Sequence, residues 1–352
     1  KLKNGIDGED LAVLLGSIPY DDEKWDKLLD ELSVDEMAKL MGYGGFSTVE
    51  IASIGKVATI DIDGPAGLNA LTSDISGVQF PSEAVIGSTY NVDLVDEMGQ
   101  TYAQEANAHG VVGLYAPGLN IHRTPFSGRN FEYYSEDPVL NGKLGAAMTR
   151  GCNSMGVYCY PKHFALNDQE TNRCSFLLTF ASEQTIREGY LKAFELAVKG
   201  FEGNAMAAMS SFNWIGTVPS CANNELLNNV LRGEWGFVGM VETDYDGSYG
   251  YMITDHCIRN GNDLMLGFNS AESNKLTDES ATAVLAMRQA CKNILYTVAN
   301  SGYYADGNPA TGMTNMTKLF VMIDVILAIV LIVVDTIVIV RWRKKKKQAV
   351  NE

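Results

Sequence analysis

The sequence predicts an α/β fold, a (β/α)8 TIM-barrel-like domain followed by a single C-terminal transmembrane helix. Short apolar runs bounded by Gly or Pro, typical of strands buried on both faces, alternate with segments of helical periodicity. Each of these runs ends in polar, chemically capable residues, and the carboxyl ends of parallel barrel strands meet at one rim. A long apolar segment and then a basic run end the chain.

Residues 1–40 are predicted to be a lead-in segment to a barrel over residues 41–300. The lead-in contains two segments of helical spacing, Asp22–Leu32 and Ser33–Met41, and the second of them opens with a capping box. Gly42–Thr48 is predicted to be a Gly-rich loop. The alternation of strands and helices begins after that loop.

The apolar runs place the predicted strands, and helical periodicity places the helices between them. The strands are Val57–Ile62, Val111–Tyr115, Val157–Tyr160, Ala205–Ser211, Phe237–Thr243 and Asn262–Leu266. The helices are Asn91–His109, Pro138–Cys152, Ser182–Lys199, Asn224–Arg232 and Ser280–Ala299.

The C-terminal region carries the second strong pattern. Residues 301–317, rich in Gly, Asn, Thr and Asp, are predicted to be a linker to a transmembrane helix over residues 318–340. Within that helix Leu319–Val340 is apolar apart from two aspartates and a threonine, and it is long enough to cross roughly 30 Å of hydrocarbon. The tail over residues 341–352 has six basic residues and one acid. By the positive-inside bias we expect a single-pass membrane protein that contacts membrane lipid, with an extracytoplasmic body and a cytoplasmic C-terminus.

Charge and cysteine usage limit the class of function. Up to Thr317 the chain has 20 Lys and Arg against 40 Asp and Glu, which argues against nucleic acid as a partner and is compatible with a neutral substrate such as a sugar. The six cysteines form no CxxC pair and no zinc spacing, so we interpret them as buried free thiols, with disulfides as the alternative. No residue cluster indicates a metal site and no Gly-rich loop has nucleotide-binding form, so we expect no cofactor.

The longest informative stretch is Asn120–Pro138, because a loop of this length inside a compact α/β unit tends to be functional. Taken with Tyr160–Phe164 and Glu242–Gly247, it resembles the family 3 glycoside hydrolases, β-glucosidase branch. The resemblance covers roughly residues 30–305. The matching motifs are Asp63–Leu68, Gly128–Glu132, Ser135–Pro138, Lys162–Phe164, Asn167 with Gln169–Arg173, Met209–Asn213, Thr243–Asp244 and Gly261–Leu264.

The resemblance implies a retaining, exo-acting hydrolase that removes β-linked glucose, or a similar sugar, from the nonreducing ends of an oligosaccharide or glycoside. This chemistry needs a carboxylate at the anomeric carbon and a second acid about 5–5.5 Å away. In the family the Asp of the Thr243–Asp244 motif is the nucleophile, and this role carries over to Asp244. Asp246 points to the same side of the strand end and is the competing candidate, whereas Glu242 is predicted to be a supporting or packing residue.

The resemblance also implies which residues hold the nonreducing-end sugar. A carboxylate can accept hydrogen bonds from two hydroxyls, while cationic side chains donate them. The residues carried over to this role are Asp63, Arg129, Lys162 and His163. Three further candidates for lining the sugar pocket are Met209, Asn213 and Tyr245.

The chain departs from the family's pattern at positions that bear on the sugar. Tyr245 stands where many relatives have Trp, and Phe212 stands where many have Tyr. Ala165–Glu170 replaces the Gly-His loop of the β-N-acetylglucosaminidase branch, which favours glucosidase or xylosidase chemistry. A β-xylosidase or α-L-arabinofuranosidase, a non-catalytic sugar-binding surface protein and a membrane scaffold are the alternatives that stay open.

The largest departure concerns the general acid/base. In this branch the acid/base Glu usually comes from a separate α/β sandwich domain after the barrel, whereas here the predicted transmembrane helix follows directly. Some relatives carry that domain upstream, and a chain that starts at Lys1 looks like the barrel half of such a protein. We therefore assign no acid/base residue within the chain and expect an upstream α/β sandwich domain to supply it.

Overall fold

The computed structural model describes residues 18–71, 73–199, 204–246, 250–268, 276, 278–305 and 315–351. These residues divide into two compact units. The first unit holds the described residues of 18–69 and 76–305, and the second holds those of 70–75 and 315–351. All the predicted site residues lie in the first unit.

The first unit follows the predicted alternation of strands and helices. Its strands are β1 (Ser47–Thr48), β2 (Thr59–Asp63), β3 (Gly113–Tyr115), β4 (Tyr158–Cys159), β5 (Leu178–Thr179), β6 (Ala207–Met209), β7 (Trp214–Ile215), β8 (Val218–Pro219) and β9 (Met240–Glu242). Its α-helices are α1 (Lys24–Asp30), α2 (Val34–Gly42), α3 (Glu83–Gly87), α4 (Val92–Ala108), α5 (Pro138–Ser154), α6 (Glu183–Thr185), α7 (Lys192–Val198), α8 (Thr254–Arg259), α9 (Ala281–Ala299) and α10 (Gly302–Ala305). Short 3-10 turns occur at Ala52–Ile54, Asn130–Glu132 and Ser220–Ala222.

Local sequence signals set where the helices begin. Ser33 Oγ accepts a hydrogen bond from the Glu36 backbone N–H at 3.2 Å, and the Glu36 carboxylate accepts one from the Ser33 N–H at 2.9 Å, so the predicted capping box is confirmed. At the start of α5 the Asp137 side chain accepts from the Val139 N–H at 2.8 Å, and Pro138 occupies the first helical position.

The barrel wall is built from parallel strands. β2 pairs with β3, β3 pairs with β4, and β6 pairs with β9, all in parallel register. Bridges from Phe164 to Ser210 and from Glu242 to Leu264 continue the same parallel order. The predicted TIM-barrel-like arrangement is confirmed, and it brings the carboxyl ends of these strands to one rim.

The ring closes through the Gly-rich segment. The Met265 N–H donates to the Met41 carbonyl at 2.9 Å, the Gly44 N–H donates to the Met265 carbonyl at 2.9 Å, and β1 then runs antiparallel to β2. A Cβ at Gly44 would lie 2.5 Å from Glu242 Oε1, so glycine is required for this approach. The predicted Gly-rich loop is confirmed for residues 43–46, but Gly42 ends α2 and Ser47–Thr48 form β1. Among the described residues, six parallel strand segments and the antiparallel β1 stand in place of the predicted eight parallel repeats.

Two outer helices differ from the prediction. The predicted α-helix Ser182–Lys199 contains a π-helical turn at Ile186–Tyr190, and the predicted α-helix Asn224–Arg232 is π-helical over Glu225–Glu234. A π-helix uses i→i+5 hydrogen bonds and is rare. Periodicity in the sequence could not anticipate it, because apolar residues at helical spacing suit both kinds of helix over two or three turns.

The main core joins the N-terminal helices to the barrel and to α9. It includes Trp25 and Leu29 of α1, Tyr115 and Met209 of the barrel strands, and Ile294 of α9. Each of these five side chains is at most 2% exposed. The described part of the predicted lead-in segment is thus an integral part of the barrel domain.

The second unit contains α11, Asn315–Asn351. Its stretch Val321–Arg343 is the one helix of the described residues that is long and apolar enough to cross a membrane, with a mean hydropathy of 3.0. None of this stretch is buried. Within the predicted linker, residues 302–305 form α10 and residues 306–314 lie outside the described part of the chain.

Candidate active site

Asp244 lies just beyond the carboxyl end of β9, where the buried strand aims it at the rim. Its Oδ1 accepts a hydrogen bond from the Tyr245 backbone N–H at 2.8 Å. Its Oδ2 is buried and has no hydrogen-bond partner among the described residues, and His163 Nε2 lies 3.7 Å from it. One carboxyl oxygen is thus fixed by the backbone, and the other is left for a ligand.

The environment of Asp244 sets the pH at which it ionises. Burial raises the pKa of this carboxyl, and the positive charges of Arg129 and Arg173 oppose the effect, so that the pKa is about 6. Asp244 is therefore ionised at neutral pH and carries a proton in mildly acidic solution.

Lys162 follows β4 and connects the ends of two strands. Its Nζ donates to Asp63 Oδ1 at 3.1 Å and to Glu132 Oε1 at 2.9 Å, and only 3% of its side chain is exposed. Burial lowers the pKa of this amine, but the charges of Asp63 and Glu132 outweigh burial and the pKa is raised. Lys162 is thus a fixed cation at the rim.

Glu132 is the centre of this charge network. It accepts two hydrogen bonds from Arg129, from Nε at 2.6 Å and from the guanidinium Nη2 at 2.8 Å, in addition to its contact with Lys162. Burial raises the pKa of Glu132, but the charges of Lys162 and Arg129 dominate and hold it at about 2. The 3-10 turn Asn130–Glu132 makes the pairing with Arg129 local, since the two residues are on successive turns.

Asp63 ends β2 and is the most open carboxylate of the group, with 45% of its side chain exposed. Its Oδ1 accepts from Lys162 and from the Gly64 backbone N–H at 3.2 Å. Because one oxygen is held in place and the group is accessible, Asp63 can accept hydrogen bonds from two hydroxyls of a ligand.

His163 is buried and fixed by Asn120. The His163 backbone N–H donates to Asn120 Oδ1 at 2.8 Å, and the Asn120 amide returns a hydrogen bond to the His163 carbonyl at 3.0 Å. Burial and then the charges of Arg129 and Lys162 lower the pKa of His163 well below its usual value. The imidazole is therefore neutral beside Asp244.

The three further candidates behave differently from one another. Asn213 is fully buried and its amide donates to the Ala165 carbonyl at 3.2 Å and to Thr179 Oγ1 at 3.1 Å, which ties it to neighbouring loops. Met209 belongs to the main core. Tyr245 is 40% exposed at the rim, with its ring 6.3 Å from that of Phe268. Of the three, Tyr245 is the one whose ring is open to a ligand.

The two other acids near Asp244 are both buried. Asp246 is 5% exposed, and its backbone N–H donates to the Leu266 carbonyl at 2.8 Å. Glu242 is fully buried, and its pKa is raised well above the usual value, first by burial and then by the charge of Asp61. Burial therefore favours the protonated form of Glu242, which is consistent with the predicted packing role.

Sequence reasoning missed three contributors to the site. Glu132 and Arg173 lie inside motifs that carry the resemblance, and Asn120 opens the long loop Asn120–Pro138, but none of the three is among the predicted site residues. Arg173 pairs with Glu170 at 3.1 Å and lies over the Phe212 ring at 4.3 Å. The signal that could have found Glu132 is its spacing of three residues from Arg129, which suits a bidentate pair on one turn.

The chain is similar to known glucosidases in sequence. The model of the glycosyl hydrolase family 3 N-terminal domain matches residues 49–265. Over 268 residues the chain is 39% identical to beta-glucosidase A of Butyrivibrio fibrisolvens, which covers 76% of this chain and 29% of that protein. Over 227 residues it is 37% identical to beta-glucosidase B of Emericella nidulans, and the match covers 63% of this chain and 26% of that protein.

Solved structures agree in fold. Beta-glucosidase 3B of Thermotoga neapolitana, determined in complex with glucose, superposes with a TM-score of 0.71 at 31% identity, over 84% of this chain and 45% of that chain. A beta-glucosidase of Paenibacillus barengoltzii superposes with a TM-score of 0.76 at 29% identity, over 89% of this chain and 36% of that chain. The chain thus spans less than half the length of each of these relatives. Because the family model covers more than half of the chain, including the strand ends that carry Asp63, Lys162 and Asp244, the chain belongs to glycosyl hydrolase family 3.

Proposed function

We propose that this chain is the barrel part of a retaining, exo-acting hydrolase that removes β-linked glucose, or a sugar of similar shape, from nonreducing ends. The observation that carries the proposal is the state of Asp244, a buried carboxylate with one oxygen fixed by the backbone and the other unpartnered. The glucosidase names of the relatives and the glucose complexes of similar structures support the same sugar.

Asp244 is the proposed nucleophile. Its Oδ2 attacks the anomeric carbon, the bond to the leaving oxygen breaks, and a covalent glycosyl-enzyme forms that water later hydrolyses. Asp63 accepts hydrogen bonds from sugar hydroxyls, while Arg129 and Lys162 supply positive charge beside the ring. Neutral His163, held by Asn120, donates or accepts one hydrogen bond without adding a second cation.

The general acid/base is proposed to lie outside this chain. Retaining hydrolysis needs a protonated acid about 5–5.5 Å from the nucleophile. Glu132 is unsuited because two cations hold its pKa at about 2, and Glu242 is unsuited because it is sealed in the barrel. An α/β sandwich domain upstream is the proposed source, and the greater length of the relatives is consistent with an additional domain.

We propose that the protein is anchored in a membrane through residues 318–340, with the barrel outside and the basic tail in the cytoplasm. The hydropathy of Val321–Arg343 and the run of lysines after it support this placement. Protease treatment of intact and opened cells tests it. We expect the added protease to degrade the barrel on intact cells. A barrel that is degraded only after the cells are opened would contradict the proposed orientation.

Covalent trapping tests the chemistry. The full chain is incubated with a dinitrophenyl 2-deoxy-2-fluoro-β-glucoside, whose leaving group needs little acid help, and its peptides are analysed by mass spectrometry. We expect the label on Asp244, no label in Asp244→Asn, and an unchanged label in the matched variant Asp246→Asn. Labelling by the xyloside alone would favour a β-xylosidase, and binding of sugar with no label from either reagent would favour a non-catalytic sugar-binding protein.

A further inference from the structure

The outer wall of the barrel has a cleft that the proposed chemistry does not use. Its volume is about 380 Å³, which is within the range of small-molecule sites. It lies between the start of α5, the π-helical turn with α7, and the end of the second π-helix. We call it the outer cleft, and its lining residues are Val139, Arg187, Glu188, Leu191, Lys192, Glu195, Lys199, Glu234 and Trp235.

Trp235 gives the outer cleft an aromatic surface. The residue is partly exposed and lines the cleft. On the inner side its ring packs against Phe164, with centroids 5.8 Å apart. Val139 and Leu191 add apolar surface beside it. A rigid aromatic ring with an N–H at its edge suits a ligand that is apolar on one face and hydrogen-bonding at its edge.

The charges of the outer cleft cancel, since three of its lining residues are basic and three are acidic. The cations are already held by carboxylates. Arg187 makes hydrogen bonds of 2.7 and 3.0 Å to Glu234, and Lys192 and Lys199 both contact Glu195 at 3.0 Å. An anionic ligand would have to displace a carboxylate, whereas a neutral ligand with hydroxyls can bind without breaking these pairs.

The carboxylates remain accessible as acceptors. About a quarter of the Glu195 side chain and about half of the Glu234 side chain are exposed, at 24% and 48%. The basic partners fix the orientation of each carboxylate, so that its remaining lone pairs point in defined directions. A π-helical segment carries Arg187 and Glu188, and another carries Glu234. Such segments are rare and occur frequently at functional sites.

We propose that the outer cleft is a second saccharide-binding site for a neutral mono- or disaccharide. The sugar packs on the ring of Trp235, and its hydroxyls donate hydrogen bonds to the carboxylates of Glu195 and Glu234. This site is separate from the rim that carries Asp244. Binding there requires no hydrolysis, so a test of this site can fail or succeed independently of a test of the proposed glucosidase activity.

Fluorine NMR of the full chain in nanodiscs tests the proposal. The chain has four tryptophans, so 5-fluorotryptophan gives four signals, and Trp235→Phe identifies the one from the outer cleft. Titration with cellobiose is expected to shift that signal saturably, also in Asp63→Ala, where binding at the rim is weakened. Glu195→Gln is expected to weaken binding about tenfold, because it removes a hydrogen bond to a charged acceptor.

The matched control is Glu183→Gln. Glu183 also pairs with Arg187, at 2.9 Å, but it does not line the outer cleft, so the affinity for cellobiose should change less than about twofold. A Trp235 signal that does not move would overturn the proposal, as would an equal affinity in Glu195→Gln. Loss of the shift in Asp63→Ala would show that the sugar acts from the rim, and saturation by inorganic phosphate instead of cellobiose would make the site an anion site.

Discussion

The rim of the barrel and its interior both bury ionisable side chains, but the rim pair Glu132 and Lys162 and the interior groups have pKa values shifted in opposite directions. At the rim Glu132 is held at a pKa of about 2 and Lys162 has a raised pKa. In the interior burial raises the pKa of Asp61 to about 6, takes that of Glu242 well above the usual value, and lowers that of Lys56 to about 7. The pair Glu132 and Lys162 keeps its charges, whereas burial shifts Asp61, Glu242 and Lys56 toward their neutral forms, as it also does for Asp244 at the rim.

The difference lies in the partners. Glu132 contacts two cations within hydrogen-bonding distance, so the favourable charge interactions exceed the loss of hydration. Asp61 accepts hydrogen bonds from the hydroxyls of Tyr158 and Tyr160, at 2.8 and 2.6 Å. Within the part of the chain that the structure describes, neither oxygen of Glu242 has a partner at hydrogen-bonding geometry. Burial alone therefore does not create a reactive carboxylate, and the opposite charges beside it decide whether it stays ionised.

The strongest test of the comparison is the loss of the rim nucleophile. Asp244→Asn should lower kcat on a dinitrophenyl β-glucoside by about 10⁴-fold, because the amide cannot form the glycosyl-enzyme. Steady-state release of dinitrophenol measures it. Residual activity within tenfold of the parent chain would mean that another residue attacks.

The second test removes the charge at the centre of the rim. Glu132→Gln should destabilise the folded chain by about 3 kcal/mol at pH 7, since Arg129 and Lys162 lose the carboxylate that neutralises them in a buried place. Urea unfolding of the barrel, followed by tryptophan fluorescence, gives the change. A decrease in the free energy of unfolding below about 1 kcal/mol would mean that the charge of Glu132 stabilises the fold no more than a buried, uncharged interior side chain does.

The third test uses pH. The pKa of Asp244 is about 6 and only its ionised form attacks, so the rate of labelling by the fluoroglucoside should be constant above about pH 7 and fall tenfold per pH unit below about pH 5. Single-turnover labelling between pH 4 and 8 measures the profile. A rate that stays level down to pH 4 would show that the rim cations offset burial more fully than the structure indicates.

The smallest effect is expected in the interior. Glu242→Gln should change the free energy of unfolding at pH 7 by less than about 1 kcal/mol, because burial already favours the uncharged form of the glutamate and the amide has nearly the same shape. Run beside Glu132→Gln under the same urea conditions, it is the matched control for that variant. A loss as large as that of Glu132→Gln would mean that Glu242 is ionised in the folded chain.

The sequence predicts the strand ends well. An apolar run indicates a buried strand, and the polar residues after it indicate which end of the strand lies at the rim. Asp63, Lys162, His163 and Asp244 are found at such ends in the structure. The partners within the site were harder to predict. Glu132 contacts Lys162 and Asn120 contacts His163 across separate loops, and no periodicity encodes those contacts, whereas only the pair of Glu132 with Arg129 is local in sequence. Met209 and Asn213 were carried over with the family motif, and their burial depends on side-chain packing that the motif does not describe.

The closure of the ring at Gly44 and Met265 has a consequence for how the chain folds. These hydrogen bonds join the first and last segments of the wall among the described residues, which are far apart in sequence. Contacts between residues so far apart in sequence make folding slow, and until they form the edges of the incomplete sheet are exposed to other chains. A side chain added in the glycine segment before β1 would hinder this closure, so we expect it to reduce the yield of folded protein more than the activity of the molecules that do fold.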